Sequence, residues 1–321
     1  MNLQKKAWEI KYPLYDFEIA RLRESSSGFV LEGMCSKDDF EEASGRFGEY
    51  VHEMPSFSDV LQSMLAAGIL PFRNAPGFEA LKAGYRSMNR DVMFSLDTNM
   101  LYCGFPSRSG INPALFLLVD TVQSEIESAL NTKYSPQAIA DLRRMAPFGR
   151  EVLDELVNQK MKRSRIAAYG ALAEFQGIRN LARIIDGTEP PTADKERNDL
   201  IIVRSLRAFG KDAYSTPVHL TADANVADLC RAEGVAHFLF EVPHSIDVRE
   251  CTPAATIDLI FRLAVAFGVV KCGPALVYGE YRGKGARRQT LKVVIKNPEL
   301  AEQFERELTL CRTLAGLPLA A

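Results

Sequence analysis

Apolar, strand-like segments alternate with helical patterns along this chain and predict an α/β fold with a parallel sheet covered by helices on both faces. Runs typical of buried strands occur at about 92–96, 217–220 and 236–240. Helical patterns lie between and beside them, at about 114–131, 194–210 and 225–233. Strands that alternate with helices of this length are joined by crossover connections, and such connections build parallel sheets. We therefore expect a doubly wound sheet in the central part of the chain.

Three segments are expected along the sequence. Residues 1–88 are predicted to form an N-terminal α+β domain of unknown role, with a helix that begins at a capping box opened by Ser36. Residues 89–250 hold the predicted parallel sheet, with a helical insertion at about 135–190 bounded by proline and glycine. Residues 251–321 are predicted to form a helix, a basic β-hairpin and a final helix.

Composition is ordinary for a globular protein. The 321 residues are 47% hydrophobic and 25% charged, with a net charge of −2, so any surface for a polyanion must be a local patch. The six cysteines form no C-x-x-C pair and are interpreted as reduced thiols. No apolar run reaches the ~18 residues of a membrane span, and the N-terminus lacks the apolar core of a signal peptide. These features predict a cytoplasmic protein without membrane contact.

Acidic residues recur at positions where open α/β sheets bind ligands. Asp97 follows the first predicted strand of the sheet, and Asp223 follows a later one. Glu125 falls inside a predicted helix and Asp199 in the first turn of another. Carboxylates at strand ends of such sheets sit in the ligand-binding crevice. Two carboxylates about 4 Å apart repel by roughly 4 kcal/mol at an effective dielectric constant near 20, so a converging group needs a divalent cation or a proton.

Four short motifs carry these acids in a recognisable order. An apolar strand that ends in Asp-Thr-Asn occupies 94–99, and a helix with a central Glu follows at 122–126. An Asp that opens a helix, with aliphatic residues two and three positions on, occupies 198–202, and Thr-x-Asp at a strand end occupies 221–223. Over roughly 91–245 the chain thus resembles the PIN-like nucleases, whose metal-dependent ribonuclease domain is a small doubly wound α/β fold.

This resemblance implies hydrolysis of RNA phosphodiester bonds at a four-carboxylate site that binds Mg²⁺ or Mn²⁺. Asp97 is the expected central ligand, Asp199 and Asp223 are further ligands, and Glu125 is a ligand or holds a metal-bound water. The main alternative is a catalytically inactive PIN-like protein that binds RNA or scaffolds a complex. A phosphate-processing enzyme for a small substrate is a third class, because the acids determine metal chemistry more than substrate size.

Three neutral residues beside the acids are expected to orient them. Thr98, Asn99 and Thr221 stand next to the carboxylates in the motifs and can donate hydrogen bonds to them.

Each acid also has a purely structural interpretation. Asp97 begins an Asp-Thr-Asn sequence that favours a turn, and Asp199 is favoured by the helix dipole at a helix N-terminus. Asp223 is a suitable N-cap for the helix that follows it. Glu127 replaces Glu125 as the second acid if the helix register differs, since residues two apart point to different faces.

A basic ribbon near the C-terminus is the second candidate functional feature. The stretch 268–297 holds seven Lys or Arg and one Glu. Its predicted hairpin pairs 275–278 with 291–295. Phosphate contacts and base stacking are expected from five residues of its turn: Tyr281, Arg282, Lys284, Arg287 and Arg288. A solvated edge hairpin protected by its charges is the alternative. RNA is the expected partner, structured or single-stranded, and a homo-oligomer or a protein inhibitor is left open.

Overall fold

The computed structural model contains two sheets, one parallel and one antiparallel. It describes residues 7–86, 91–130, 136–146, 148–149, 152–153, 163–212, 214–243, 249–280 and 290–316. The strands of the described residues are β1 Ala7–Tyr12, β2 Phe17–Ser25, β3 Gly28–Met34, β4 Asp91–Leu96, β5 Phe116–Val119, β6 Arg183–Ile185, β7 Ser215–Thr221, β8 Ala236–Leu239, β9 Arg249–Cys251, β10 Val269–Cys272, β11 Ala275–Glu280 and β12 Thr290–Ile295.

Helices cover both sheets. Within the described residues they are α1 Lys37–Gly45, α2 Phe57–Ala66, α3 Ala75–Arg86, α4 Thr98–Tyr102, α5 Phe105–Arg108, α6 Asp120–Leu130, α7 Pro136–Met145, α8 Arg163–Arg179, α9 Lys195–Asp212, α10 Ala224–Glu233, α11 Pro253–Phe267 and α12 Pro298–Ala315. Short 3₁₀ turns occupy Gly48–Glu53 and Pro113–Leu115. Among the helices of the described residues, none combines the length and the apolar character needed to cross a bilayer.

The predicted α/β class is confirmed by a five-stranded parallel sheet with flanking helices. Its strand order is β6-β5-β4-β7-β8, and every neighbouring pair is parallel. The central strands are buried on both faces, as their continuous apolar sequence requires. Helix α8 packs Ala171 and Phe175 into the same core as α6 and α9, so the predicted insertion contributes to this layer.

Two strands of this sheet were not predicted. Phe116–Val119 form β5, so the helix predicted over about 114–131 is wrong in its first part, and α6 begins at Asp120. The short edge strand Arg183–Ile185 lies inside the segment predicted to be a helical insertion. A buried four-residue apolar run carries no periodicity that separates a strand from a helix, which explains the error.

The antiparallel sheet is built from both ends of the chain. Its order is β12-β11-β10-β1-β2-β3-β9, with Ile10 of β1 opposite Cys272 of β10 and Val30 of β3 opposite Glu250 of β9. Tyr12 and Phe267 meet edge to face in a core shared by β1, α11 and the N-terminal helices. The segments 1–88 and 251–321, assigned to separate units from the sequence, thus share one sheet and one core.

The C-terminal hairpin and helix lie where they were predicted. β11 and β12 pair antiparallel along their whole length. The turn between them, with Tyr281, Arg282, Lys284, Arg287 and Arg288, lies outside the described residues.

Candidate functional site

The parallel sheet has a topological switch point between β4 and β7. From β4 the chain moves outward to β5 and β6, then returns to the opposite side of β4 to form β7 and β8. Connections on the two sides of β4 therefore leave in opposite directions, and a crevice opens at the carboxyl ends of these two strands. Asp97 is the first residue after β4, and Asp223 is the second residue after β7.

Asp97 is buried in this crevice, with 2% of its surface exposed. Its backbone N–H donates to the carbonyl of Leu220 at 3.0 Å, which continues the β4–β7 ladder by one residue. The residue occupies the N-cap position of α4, but its side chain makes no capping hydrogen bond. The carboxylate is therefore held in the crevice and does not serve as a turn or cap residue.

Thr221 joins the two strand ends. Its side chain is fully buried, and its hydroxyl donates to Oδ2 of Asp97 at 2.7 Å. The same hydroxyl oxygen accepts the backbone N–H of Asp223 at 2.9 Å. A weaker contact of 3.4 Å links Nδ2 of Asn99 to Oδ2 of Asp97. Both neutral residues thus contact the Asp97 carboxylate.

Glu125 faces the crevice from α6. Its Oε2 accepts a hydrogen bond from the Thr98 hydroxyl, while its Oε1 is buried and has no hydrogen-bond partner among the described residues. Burial raises the pKa of Glu125, with a further contribution from the charge of Asp97. Glu127 is exposed and accepts from Gln123 at 2.6 Å, so it lies on a different face of α6. The helix register places Glu125 rather than Glu127 in the crevice.

The pKa of Asp199 reports the charges of the other three acids. Asp199 is 8% exposed and lies in the second turn of α9. The pKa of Asp199 is raised to about 7, mainly by burial and in addition by charge repulsion from Asp97, Glu125 and Asp223, while Lys195 opposes the shift. The structure therefore brings the other three predicted acids within electrostatic range of Asp199.

Asp223 has a structural task as well. Its Oδ1 accepts the backbone N–H of Asn225 at 2.9 Å and caps α10. The capping interpretation of Asp223 thus describes a real contact, and its charge still acts on Asp199.

The residues fit a hard cation that keeps part of its water shell. Within the portion of the chain that the structure describes, no three Asp, Glu, His or Cys side chains meet closely enough to hold an ion by themselves. The buried, unpartnered Oε1 of Glu125 and the pKa of Asp199, raised by burial and by neighbouring carboxylates, are nevertheless features that a bound cation would relieve. Mg²⁺ commonly uses one or two carboxylates, retains several waters and takes further oxygens from substrate phosphates.

Three further residues support the crevice and were not assigned from the sequence. Asn198 is buried, and its amide both accepts from the Thr192 N–H at 2.8 Å and donates to the Thr192 carbonyl at 3.0 Å, which ties the loop before α9 to the helix. Ser95 and His219 are register partners on β4 and β7, and Ser95 Oγ and His219 Nδ1 are buried without hydrogen-bond partners among the described residues. The sequence feature that could have identified Asn198 is its position next to Asp199 in the third motif.

Comparison with protein-family models, with curated proteins and with solved structures found no match to this chain.

Proposed function

We propose that this protein is a metal-dependent ribonuclease and that its parallel-sheet layer is a PIN-like nuclease domain. The observation that carries the proposal is the electrostatic coupling of Asp97, Glu125, Asp199 and Asp223 at the switch point, although they are far apart in the sequence. Four acids at one crevice are unfavourable without a cation or a proton, and a bound divalent cation can supply the activated water and the charge neutralisation that phosphodiester hydrolysis uses.

Mg²⁺ or Mn²⁺ would be held by Asp97 with Asp199, Asp223 and Glu125 around it, and would activate water and neutralise charge on the phosphate. The chain itself supplies orientation. Thr221 fixes the orientation of the Asp97 carboxylate, and Thr98 fixes that of Glu125. Burial of the acids excludes bulk water and strengthens their interactions with charge.

The test is cleavage of labelled single-stranded RNA, structured RNA and DNA in Mg²⁺ or Mn²⁺, with the intact chain and with Asp97→Asn. We expect RNA cleavage that requires the cation and falls at least about a hundredfold in Asp97→Asn, as for loss of one charge-stabilising group. The matched control is Asp228→Asn, because Asp228 is an exposed acid on α10 paired with Arg231. It should retain activity.

Cleavage that persists in Asp97→Asn would reject the proposed site. RNA binding without cleavage by the wild-type chain would favour the non-catalytic scaffold instead.

A further inference from the structure

A cavity of about 570 Å³ opens beside Glu125, on the side of the crevice formed by α4, α6 and the loop before α9. Its size lies within the range of small-molecule sites, which is ~300–1,000 Å³. Glu125, Thr98 and Asn198 belong to both its wall and the acidic crevice. A group that occupies the cavity therefore lies next to Glu125 and close to the acidic crevice.

Several hydroxyl and amide groups lie in the wall of this cavity, among apolar surface. Ser124 and Ser128 present hydroxyls from successive turns of α6, and Thr192 and Asn198 contribute a hydroxyl and an amide from the loop before α9 and from its first turn. Tyr102 adds a phenol whose pKa is raised to about 12 by burial, so it stays neutral and can donate a hydrogen bond. Such a wall suits a neutral, hydroxyl-rich group such as ribose.

Lys195 is the one cation among the described residues that line the cavity. It begins α9, is exposed, and makes no ion pair with a carboxylate of the described residues. Its positive charge acts on both Glu125 and Asp199. The Lys195 ammonium is exposed to solvent and lies near Glu125 and Asp199, so it can contact a phosphate that approaches these two acids.

We propose that this cavity binds one unpaired ribonucleotide next to the cleaved bond of an RNA strand, with Lys195 on its phosphate. The inference rests on the proposed function and specifies its substrate. A base inside a duplex would have to leave its stack to enter a cavity of this size, so single-stranded RNA is the favoured substrate. The hydroxyl of Ser128, and that of Ser124 as an acceptor while it donates to the Asp120 carbonyl, can pair with the 2′-hydroxyl, which distinguishes RNA from DNA.

Binding is measured by fluorescence anisotropy with a labelled pentaribonucleotide in Mg²⁺, in the Asp97→Asn background to prevent turnover. Lys195→Ala should weaken binding on the order of tenfold through loss of one charged contact. Lys195→Arg retains the charge and should bind nearly normally. The matched control is Lys211→Ala at the far end of α9. A loss that is equal for Lys195→Ala and Lys211→Ala would overturn the assignment of Lys195.

The cavity itself is tested by filling it. Ser128→Trp places an indole on the cavity side of α6, whereas Glu127→Trp places the same group on the outer face of that helix. We expect Ser128→Trp to weaken binding about tenfold and Glu127→Trp to leave it within about twofold. Thermal denaturation of both variants checks that each is folded. Unchanged binding in a folded Ser128→Trp variant would overturn the proposal.

A second measurement locates the nucleotide directly. A pentaribonucleotide with 4-thiouridine beside the central bond is photo-crosslinked to the chain, and the modified peptide is identified by mass spectrometry. Crosslinks within 120–130 or 191–198 support the proposal, and crosslinks confined to other segments overturn it.

The two proposals fail in different ways. If the wild-type chain binds RNA through Lys195 and the cavity but does not cleave it, the nuclease assignment fails and the binding site stands. If it cleaves RNA with the same kcat/KM in Lys195→Ala and Ser128→Trp, the nuclease stands and the cavity proposal fails. A chain that neither binds nor cleaves RNA overturns both.

Discussion

At the scale of single residues, Thr221 is the link on which the candidate site depends most. One buried hydroxyl donates to Asp97 and accepts from the backbone of Asp223, so it sets the spacing of two acids at the ends of neighbouring strands. Because this side chain is fully buried and has two such tasks, its loss leaves buried polar groups unsatisfied.

Replacing Thr221 with Val tests this link. We expect about 10–100-fold weaker Mn²⁺ binding, because a hydrogen bond that orients a ligand carboxylate is lost. The free energy of unfolding should also fall by roughly 1–3 kcal/mol, since the Asp223 N–H and the Asp97 carboxylate lose a buried partner. Calorimetric titration with Mn²⁺ and urea denaturation measure the two effects. Thr221→Ser keeps the hydroxyl and should stay close to wild type; equal losses in both variants would contradict the account.

The raised pKa of Asp199 predicts a pH dependence in the absence of metal. Because this pKa is about 7 in the folded chain and near 3.8 when unfolded, the native state holds the extra proton between these values. The stabilising effect of that proton is present below about pH 4 and is lost as the pH rises through about 7. Ionised Asp199 thus destabilises the metal-free fold at neutral pH.

Asp199→Asn removes this titration and should stabilise the metal-free chain more at pH 7.5 than at pH 5. The comparison is made between variant and wild type, because buried His219, whose pKa is lowered to about 4 by burial, contributes the opposite slope. Urea denaturation in a chelator gives the two free energies, and added Mg²⁺ should reverse the advantage of the variant. An advantage independent of pH would show that the pKa of Asp199 is not raised in the folded chain and would contradict this prediction.

At the scale of elements, the loop between β6 and α9 links the helices that carry Glu125 and Asp199. Gly187 follows β6 by two residues, and its N–H donates to Oδ1 of Asp120 at the start of α6. A Cβ at this glycine would lie 2.8 Å from the Thr121 hydroxyl and 3.0 Å from the Glu189 carbonyl. The close approach ties the loop to α6, which carries Glu125, and the loop in turn leads to Lys195 and Asp199.

Gly187→Ala should therefore destabilise the chain by about 1–3 kcal/mol through overpacking. Gly177→Ala is the matched control, since Gly177 lies on α8 with no atom within 4 Å of its added Cβ. There alanine should stabilise by roughly 0.5–1 kcal/mol through its higher helix propensity. Changes of opposite sign in the free energy of unfolding, measured by urea denaturation, support the described loop conformation. A Gly187→Ala variant as stable as the wild type would contradict it.

Elements with clear local signals could be predicted from the sequence. The Ser36 cap of α1 and the strands β4, β7 and β8 have capping or apolar patterns that need no knowledge of the rest of the chain. β5 and the short β6 depend on which surfaces bury them, and the N-terminal sheet depends on strands more than 200 residues away. Such tertiary dependence is invisible in local periodicity.

The same distinction applies to the candidate site. Asp97 and Asp223 could be placed because the carboxyl ends of parallel strands meet at one edge of a sheet. Lys195 and Asn198 could not be assigned, because their position depends on the path of the loop from 186 to 194. That path is set by contacts such as the one between Gly187 and Asp120, which no short motif encodes.

At the scale of the whole molecule, the two ends of the chain complete one sheet on which the N-terminal helices depend. β10 pairs with β1, β9 pairs with β3, and α11 fills the core between them and α2. A chain that ends at residue 243 would expose both edges of the β1–β3 meander and open this core. The parallel sheet retains all of its own strands in that chain.

We expect the 1–243 chain to lose protease resistance in its first 70 residues, while the parallel-sheet segment resists longer. Limited proteolysis followed by mass spectrometry measures the order of cleavage. Equal resistance of the N-terminal segment in the truncated and intact chains would contradict the shared core.

The most direct test of the central claim, that four acids meet to bind a divalent cation, is anomalous diffraction from crystals soaked in Mn²⁺. The account predicts an anomalous peak roughly 2.1 Å from a carboxylate oxygen of Asp97, with Asp199, Glu125 or Asp223 around it directly or through water. The peak should be absent in crystals of Asp97→Asn. No peak beside Asp97 at saturating Mn²⁺, or Mn²⁺ bound only elsewhere, would contradict the account.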